Sequence, residues 1–348
     1  MPHITAAVLG WDIGGANVKA VRLDGRPGGA PALQSRSTPL EIQRDPAALA
    51  PALRRLATQL GAGGRPHAVT MTAELSQAFR TKREGVGVVL DAVEAAFPGA
   101  EIAVYTVAGR FVAPAEARSI PLEVAASNWA ATARLVARFI PNCLLVDIGT
   151  TSTDIIPIAA GEMAAAGRTD PERLASGELV YTGALRTPCE AVAGEVPVGG
   201  VPCAVSAEGF ALMGDVYLWT GRLAPEDYTV VAPDGRPATR EFAGERLARL
   251  VCADREMLTD EAIGGIARAL TEAQIGTVAA AIARVYARHP GLGVAVVTGS
   301  GDFIAAEAAR RVGLVVVPLA DRIGDAARTA PAAAVAWLLA EELGDRTR

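Results

Sequence analysis

Cysteine and histidine are scarce in this sequence, and those present stand apart. The four cysteines, Cys143, Cys189, Cys203 and Cys252, and the three histidines, His3, His67 and His289, are scattered over 348 residues. They form no CxxC pair and no Cys/His spacing, which argues against a zinc site. An excess of positive charge is missing too. Lysine and arginine number 33 against 38 aspartates and glutamates, a net charge of −5, and the basic residues are not massed anywhere. Neither a nucleic acid nor an anionic membrane is called for as a partner. Apolar residues make up 51% of the chain, yet a charge or a proline interrupts every apolar run before it could span a bilayer. The opening stretch MPHITAAVLGWDIGG lacks a basic n-region and a cleavage pattern. These absences lead to the expectation of a folded, soluble, cytoplasmic protein working on small molecules, long enough for two core-bearing lobes.

The patterning that is present alternates short apolar runs with helical stretches. TAAVLGWDIG and VKAVRL read as a hairpin pair, AALAPALRRLATQLG as a helix, PHAVTMTAEL as a strand, VGVVLDAVEAAF as a helix and EIAVYTV as a strand. Residues 127–139 read as a helix with Ser127 as a candidate N-cap. A second hairpin pair, NCLLVDIG and STDIIPIAAG, opens the next segment as the first opened the chain. After a Gly/Pro-rich region over 181–202 come helical patterns at 207–220, 241–253 and 261–288, then the strand-turn-helix VAVVTGSGDFIAAEAARRVG. LVVVPLADRIG reads as a strand, and AARTAPAAAVAWLLAEEL as a closing helix with Pro331 in its first turn. No low-complexity linker separates the halves, so a hinge is expected in the short crossings near 125–141 and 322–330.

The hairpin tips WDIGGANVK and VDIGTTSTD share one pattern, an apolar residue followed by Asp-Ile-Gly, which suggests an internal duplication. A tip of this kind leaves backbone N–H groups free to converge on an anion. Gly14 and Gly15 in the first tip and Gly149 in the second give the backbone close approach, and Thr150, Thr151, Ser152 and Thr153 add hydroxyl donors suited to phosphate oxygens. Asp12 and Asp147 fit beside an anion once a divalent metal is included, since they could hold Mg²⁺ through water while the metal bridges to phosphate. Lys19 offers a further point charge. Gly299, Ser300 and Gly301 form a third glycine turn between strand and helix. Each loop alone is also ordinary hairpin chemistry, in which Ser/Thr runs satisfy themselves on nearby backbone. The three together resemble the phosphate-1, phosphate-2 and adenosine motifs of the actin, sugar kinase and Hsp70-type ATPase superfamily.

Within that superfamily, the segments WDIGGANVKA, VTMTAELSQAFRTKREGV, SNWAATARLVA, LLVDIGTTSTDIIPI, GELVYTGALRTPCEAV, EGFALMGDVYLWTG and TAPAAAVAWL are similar, end to end, to the hydantoinase A/oxoprolinase-related branch found with tetrahydromethanopterin-linked C1-transfer genes. The resemblance implies an α/β, actin-like (ribonuclease H-like) bilobed fold around a cleft. Residues 1–140, completed by a C-terminal helix at 326–348, would form the first lobe, and 141–325 the second. It also implies an enzyme of methanofuran or methylofuran biosynthesis, a transferase joining an aminomethyl-furanmethanol diphosphate to the phenol of γ-glutamyltyramine or a tyrosine-like acceptor, with release of diphosphate. The partners are then a small-molecule diphosphate and a phenol, with Mg²⁺ as cofactor and no oligomeric state implied.

On that reading Glu74 and Asp154 are the candidate general bases, since a phenol near pKa 10 benefits from one. Against this, Glu74 is also placed to be a solvent-facing carboxylate at a helix start, and Asp154 to brace its hairpin. Lys82 or Arg186 would pair with diphosphate or a glutamyl carboxylate, and Tyr181 would hold an aromatic ring, although a tyrosine at a strand end commonly packs. Asp215 is either a solvent-face residue or an inward polar contact, Trp129 is a packing residue and Cys189 an inert thiol. Ala16, Val18 and Thr150 depart from the usual hairpin sequence and alter how closely backbone reaches phosphate. An ATP-dependent small-molecule kinase, a nucleotide-switched actin- or Hsp70-like binding protein and an ATP-dependent lactamase or hydantoinase are the rival readings.

Overall fold

The computed structural model describes residues 4–26, 28–61 and 63–346. His3 and the last two residues of the expected closing segment 326–348 lie outside them. Among the described residues no helix is long and apolar enough to cross a membrane.

The chain opens with β1 (Ala7–Ile13) and β2 (Asn17–Asp24), an antiparallel pair in which Asp12 sits opposite Lys19. β3 (Ala32–Pro39) adds to β2 at the sheet edge. Its sequence ALQSRSTP is largely solvated, so it carries no apolar run and escapes recognition from pattern alone. α1 (Leu49–Gln59) leads to β4 (His67–Met71), parallel to β1, and α2 (Lys82–Ala96) leads to β5 (Ile102–Tyr105), parallel to β4. β6 (Phe111–Val112) closes the sheet in the order β3-β2-β1-β4-β5-β6. β1 and β4 are buried along nearly their whole length because they lie at the sheet centre, where both faces are covered. Three helices follow, α3 (Pro114–Ser119), α4 (Pro121–Val124) and α5 (Asn128–Phe139). Ser127 precedes α5 but does not cap it through its side chain; its hydroxyl donates to Tyr105 O at 3.0 Å and shares a hydrogen bond with Thr70 Oγ1.

The second sheet repeats the plan. β7 (Cys143–Ile148) and β8 (Thr153–Ala159) form its hairpin, with β9 (Glu162–Met163) on β8. After α6 (Asp170–Ser176), β10 (Leu179–Val180) also pairs with β8. β11 (Glu195–Val198) and β12 (Val201–Ala204) make a separate two-stranded hairpin around Gly199 and Gly200, both at positive φ, within the region that read only as Gly/Pro-rich. The helical pattern expected at 207–220 is realised only as α7 (Met213–Trp219), because Gly209 takes φ +67° and Leu212 bridges to Pro188 in extended form. α8 (Arg240–Arg249) and the long α9 (Asp260–Arg288) precede β13 (Val294–Thr298), α10 (Asp302–Arg311) and β14 (Val315–Pro318). The order is β10-β8-β7-β13-β14. A central first strand, its hairpin partner on one side and the fourth and fifth strands on the other describe both sheets. This is the actin-like, ribonuclease H-like α/β plan.

α11 (Ala320–Ile323) and α12 (Ala330–Arg346) end the chain. α12 packs on β1, β2, β4 and α5, so closely that a Cβ on Gly10 would lie 2.0 Å from Ala332 O. Contacts divide the chain into two compact units. The first comprises the chain up to Leu145, Ile156–Glu172 and Val317 onward; the second comprises Val146–Ile155 and Arg173–Val316. Ile156–Glu172 belongs with the first unit because β9 packs against α5 and Asp170 pairs with Lys82 of α2.

Candidate functional site

In the first unit, the β1–β2 tip is closed by Gly14 N donating to Asn17 O at 3.0 Å. The carbonyls of Gly15 and Ala16 accept from Ile42 N and Leu40 N at 3.2 and 3.0 Å. A trans peptide points its N–H opposite to its C=O, so tying the Gly15 carbonyl to this strap turns the Ala16 N–H away from it. Gly15 N and Ala16 N make no hydrogen bond among the described residues. Lys19 Nζ lies 3.6 Å from Asp12 Oδ2, the pairing expected of opposite residues on neighbouring strands. Asp12 and Lys19 thus meet each other across the hairpin.

The second unit builds the same device with more donors. Gly149 N donates to Ser152 O at 2.9 Å, while Ala184 N donates to Gly149 O, and Leu185 N and Arg186 N to Thr150 O, at 2.9, 3.1 and 2.9 Å. The same peptide geometry directs the N–H groups of Thr150 and Thr151 away from this strap. Together with Ser152 N they are unbonded among the described residues, a nest suited to an anion. The glycine turn is part of this assembly: Gly301 N donates to Ile148 O at 2.9 Å, and a Cβ on Gly299, at φ +92°, would lie 2.5 Å from Asp147 Oδ1. Ser300 Oγ is buried with no hydrogen-bond partner. Arg186 is half-buried, and its guanidinium makes no ion pair or hydrogen bond among the described residues. Asp147, Gly149, Thr150, Thr151, Ser152, Gly299, Ser300, Gly301 and Arg186 are therefore brought together within one unit.

Several expected site residues serve the framework instead. Thr153 is fully buried and its hydroxyl donates to Thr182 O at 2.6 Å, so it holds the loop rather than a ligand. Asp154 is ion-paired with Arg173, which is itself buried, so its carboxylate braces the hairpin, the alternative expected for it. Lys82 donates to Asp170 Oδ2 at 2.7 Å and so is not an uncommitted cation. Tyr181 is 60% exposed. Asp215 faces inward: it accepts from Leu212 N, Tyr228 OH and, through two nitrogens, Arg246, and burial raises its pKa despite that arginine. Trp129 is buried in α5, as a packing residue should be. The Cys189 thiol is buried and pushed well above its ordinary pKa, as expected of an inert cysteine.

Glu74 is the exception to its exposed alternative. It follows β4 in a short 3-10 turn, is 1% exposed, and neither carboxylate oxygen has a hydrogen-bond partner. Burial pushes its pKa up to about 7, only partly opposed by the nearby backbone N–H groups of Glu74 and Ala126 and by the charge of Lys82. Sequence reasoning missed Asp170 as the partner of Lys82, and Gln274 and Thr187, which hold the 182–187 loop. No spacing signals such partners, since Lys82 and Asp170 lie 88 residues apart and Gln274 and Thr182 lie 92 apart.

A family model described as hydantoinase/oxoprolinase matches residues 65–342. The chain belongs to the hydantoinase/oxoprolinase family. Over 338 residues, 97% of this chain and 98% of the relative, it is 36% identical to the (4-{4-[2-(gamma-L-glutamylamino)ethyl]phenoxymethyl}furan-2-yl)methanamine synthase of Methanocaldococcus jannaschii. That span includes the first hairpin, which the family model leaves out. The synthase of the same name from Methanococcus vannielii is 33% identical over 207 residues, 58% of this chain and 92% of that protein. A nucleotide-free acetone carboxylase structure superposes with a TM-score of 0.53 at 12% identity, covering 94% of this chain and 70% of that one, a likeness of fold alone.

Proposed function

We propose that this protein is an alkyl/aryl transferase of methanofuran or methylofuran biosynthesis, joining a furfuryl carbon to a phenol oxygen with release of diphosphate. The observation that carries the reading is the end-to-end relation to the M. jannaschii synthase, whose name specifies a phenoxymethyl-furan ether bearing a methanamine. The phenol oxygen attacks the furfuryl CH₂, the carbon–oxygen bond to diphosphate breaks and its electron pair leaves with the diphosphate. The furan ring spreads the positive charge that grows at that carbon. Negative charge grows on the leaving group, where the N–H groups of Thr150, Thr151 and Ser152, their hydroxyls and Arg186 would meet it. One such preorganised donor is typically worth about 3 kcal/mol, so a few of them account for a large part of a rate enhancement.

Of the two candidate bases for the phenol proton, Glu74 is the one whose carboxylate has no hydrogen-bond partner. With a pKa of about 7 its carboxyl is about half ionised at neutral pH, and the ionised fraction is a stronger proton acceptor than an ordinary carboxylate near 4.5. Mg²⁺ fits the donor chemistry of Asp147 and the neighbouring hydroxyls, which are hard oxygen ligands. Among the described residues no group of three or more His, Cys, Asp or Glu could hold a metal, so the cation would arrive with phosphate oxygens and water completing its shell. When bound, it would neutralise charge on the diphosphate. In the first unit, Asp12, Gly14, Gly15 and Lys19 repeat the phosphate-hairpin elements.

A second reading, an ATP-dependent kinase, draws on the glycine turn, where the unpartnered Ser300 hydroxyl sits between Gly299 and Gly301. Calorimetry with inorganic diphosphate and with ATP, each with Mg²⁺, on the wild type and Asp147→Asn separates the two. Tight diphosphate binding lost in the variant, followed by formation of an aryl ether and free diphosphate from a synthetic furfuryl diphosphate and a tyramine-type phenol, is the expected result. Tight ATP binding with phosphoryl transfer to the phenol, and no ether, would overturn the transferase.

A further inference from the structure

The nest in the second unit depends on a strap, residues 182–187, that holds the hairpin from behind. Ala184, Leu185 and Arg186 donate their backbone N–H groups to the Gly149 and Thr150 carbonyls. Gly183 lies against the hairpin so closely that a Cβ there would come within 2.5 Å of Thr151 N and 2.6 Å of Thr151 C. The direction in which the hairpin amides point is thereby set by where the strap sits.

Among the described residues, one side chain of α9 hydrogen-bonds to the strap. Gln274 is 1% exposed, and its Nε2 donates to Thr182 Oγ1 at 2.8 Å and to Gly183 O at 2.9 Å, while its Oε1 accepts from Tyr217 OH on α7. Thr187 Oγ1 accepts from Gly183 N at 2.8 Å and donates to Gly183 O at 3.2 Å, closing the loop on itself. Met213 N and Gly214 N, at the start of α7, donate to Thr187 O and Leu185 O. Both ends of the Gln274 amide are thus satisfied, the NH₂ by the strap and the carbonyl oxygen by the helix that also grips the strap. A buried amide with every partner fixed has one low-energy placement, which is the property a template needs.

We infer that Gln274 is a positioning residue for the phosphate nest: through Thr182 and Gly183 it fixes the strap that aims the Thr150 and Thr151 amides at a phosphate group. The inference rests on the reading of this hairpin as a phosphate site and adds the residue that sets its geometry. Gln274 itself touches no substrate.

The test uses the whole chain, with inorganic diphosphate and ATP, each with Mg²⁺, as calorimetric probes. Gln274→Met removes the donor and acceptor while keeping length and volume, Gln274→Glu keeps the acceptor toward Tyr217 and removes the donors, and Thr187→Val loosens the strap from its other end. A nest misaimed by a fraction of an ångström should bind its phosphate ligand about tenfold or more weakly in Gln274→Met and in Thr187→Val. Thr187→Ser, which restores a hydroxyl, should recover most of the affinity. In turnover the loss should fall on kcat and on KM for the diphosphate substrate, with KM for the phenol unchanged. Variants that lose thermal stability but bind the probe as tightly as the wild type would overturn the positioning role and leave the phosphate reading standing. A wild type that binds ATP and not diphosphate, with ATP binding weakened in the variants, would uphold the positioning role and overturn the diphosphate substrate. A wild type that binds neither would overturn both.

Discussion

The two hairpins are one backbone device used twice with different cargo. Gly14 N to Asn17 O and Gly149 N to Ser152 O close the tips identically, at 3.0 and 2.9 Å. In each unit the last carbonyl of the first strand accepts from the loop after the fourth strand, Thr72 N to Ile13 O and Gly301 N to Ile148 O, both at 2.9 Å. What those loops carry differs. After β4 the chain turns through Ala73 and buries the unpartnered Glu74; after β13 it runs through Gly299, Ser300 and Gly301 against Asp147. The straps differ as well, a post-strand segment at Leu40 and Ile42 in one case and the Gln274-held loop in the other. Backbone hydrogen bonds can be repeated by any sequence that tolerates the turn, whereas the chemistry follows the side chains placed on it. A repeated scaffold therefore carries different side chains: the first unit buries the unpartnered Glu74, and the second leaves more hairpin N–H groups unbonded among the described residues.

The sharpest test of that asymmetry is Glu74→Gln, an isosteric change confined to the first unit. Turnover should fall about 10²–10⁴-fold, the usual contribution of a positioned base. Stability should move the other way. The folded pKa is raised from 4.5 to about 7, so the wild type's favourable protonated carboxyl is fully present below pH 4.5 and is lost as pH rises through 7. At pH 8 the variant should be more stable by about 3 kcal/mol, since each pKa unit is worth about 1.4 kcal/mol. A variant that is less stable at pH 8, or as active as the wild type, removes Glu74 from the comparison.

Next in size is Gly299→Ala, which strikes only the second unit. The new Cβ would meet Ile148 O at 2.3 Å and Asp147 Oδ1 at 2.5 Å, at a φ that L-residues rarely adopt. Overpacking and backbone strain together should cost about 3 kcal/mol, read by urea denaturation, with loss of diphosphate binding. Near-wild-type stability would mean the glycine turn does not rest on Asp147.

Acid should test the first unit in the opposite sense to Glu74. His67, at the start of β4, accepts from Trp11 Nε1 at 3.0 Å with its ring nearly parallel to that indole, lies 4.1 Å from the Phe97 ring centroid to centroid, and burial pushes its pKa down to about 4 from 6.5. Its contribution is complete above pH 6.5 and is lost as pH falls toward 4, up to about 3 kcal/mol at the lower limit. Hydrogen exchange at pH 7 and pH 5 should show β1 and β4 losing protection before β7 and β13. An acid profile unchanged in His67→Phe would show that this histidine does not set it. The smallest effect is expected for Gly15→Thr, which gives the first hairpin the residue found at the corresponding Thr150. Nothing lies within 4 Å of a Cβ there, so stability should change by less than about 0.5 kcal/mol in a thermal melt.

Much of the fold was legible because its signals are local. Apolar alternation ending in Asp-Ile-Gly marks both hairpins, and the strand-turn-helix around Gly299 is written in consecutive residues. β3 escaped because an edge strand needs no apolar face, and the β11–β12 hairpin because glycine and proline mask its strands. Of the candidate site, the hairpin tip Gly149–Ser152 and the glycine turn could be named from the sequence, but the hydrogen-bond partners of the polar residues around them could not. Thr153 and Asp154 sit in the same run as the nest, yet their side chains go to Thr182 and Arg173.

The sequence by itself determined the family, the two hairpins and the residue types available to meet a phosphate, since turn chemistry and strand period act between near neighbours. Only the tertiary structure decided that Glu74 is buried without a partner, that Lys82 belongs to Asp170 and that Gln274 holds the strap behind the nest. Each of those outcomes depends on desolvation or on a hydrogen bond between residues far apart in the chain, and neither exists until the sheets and helices have packed.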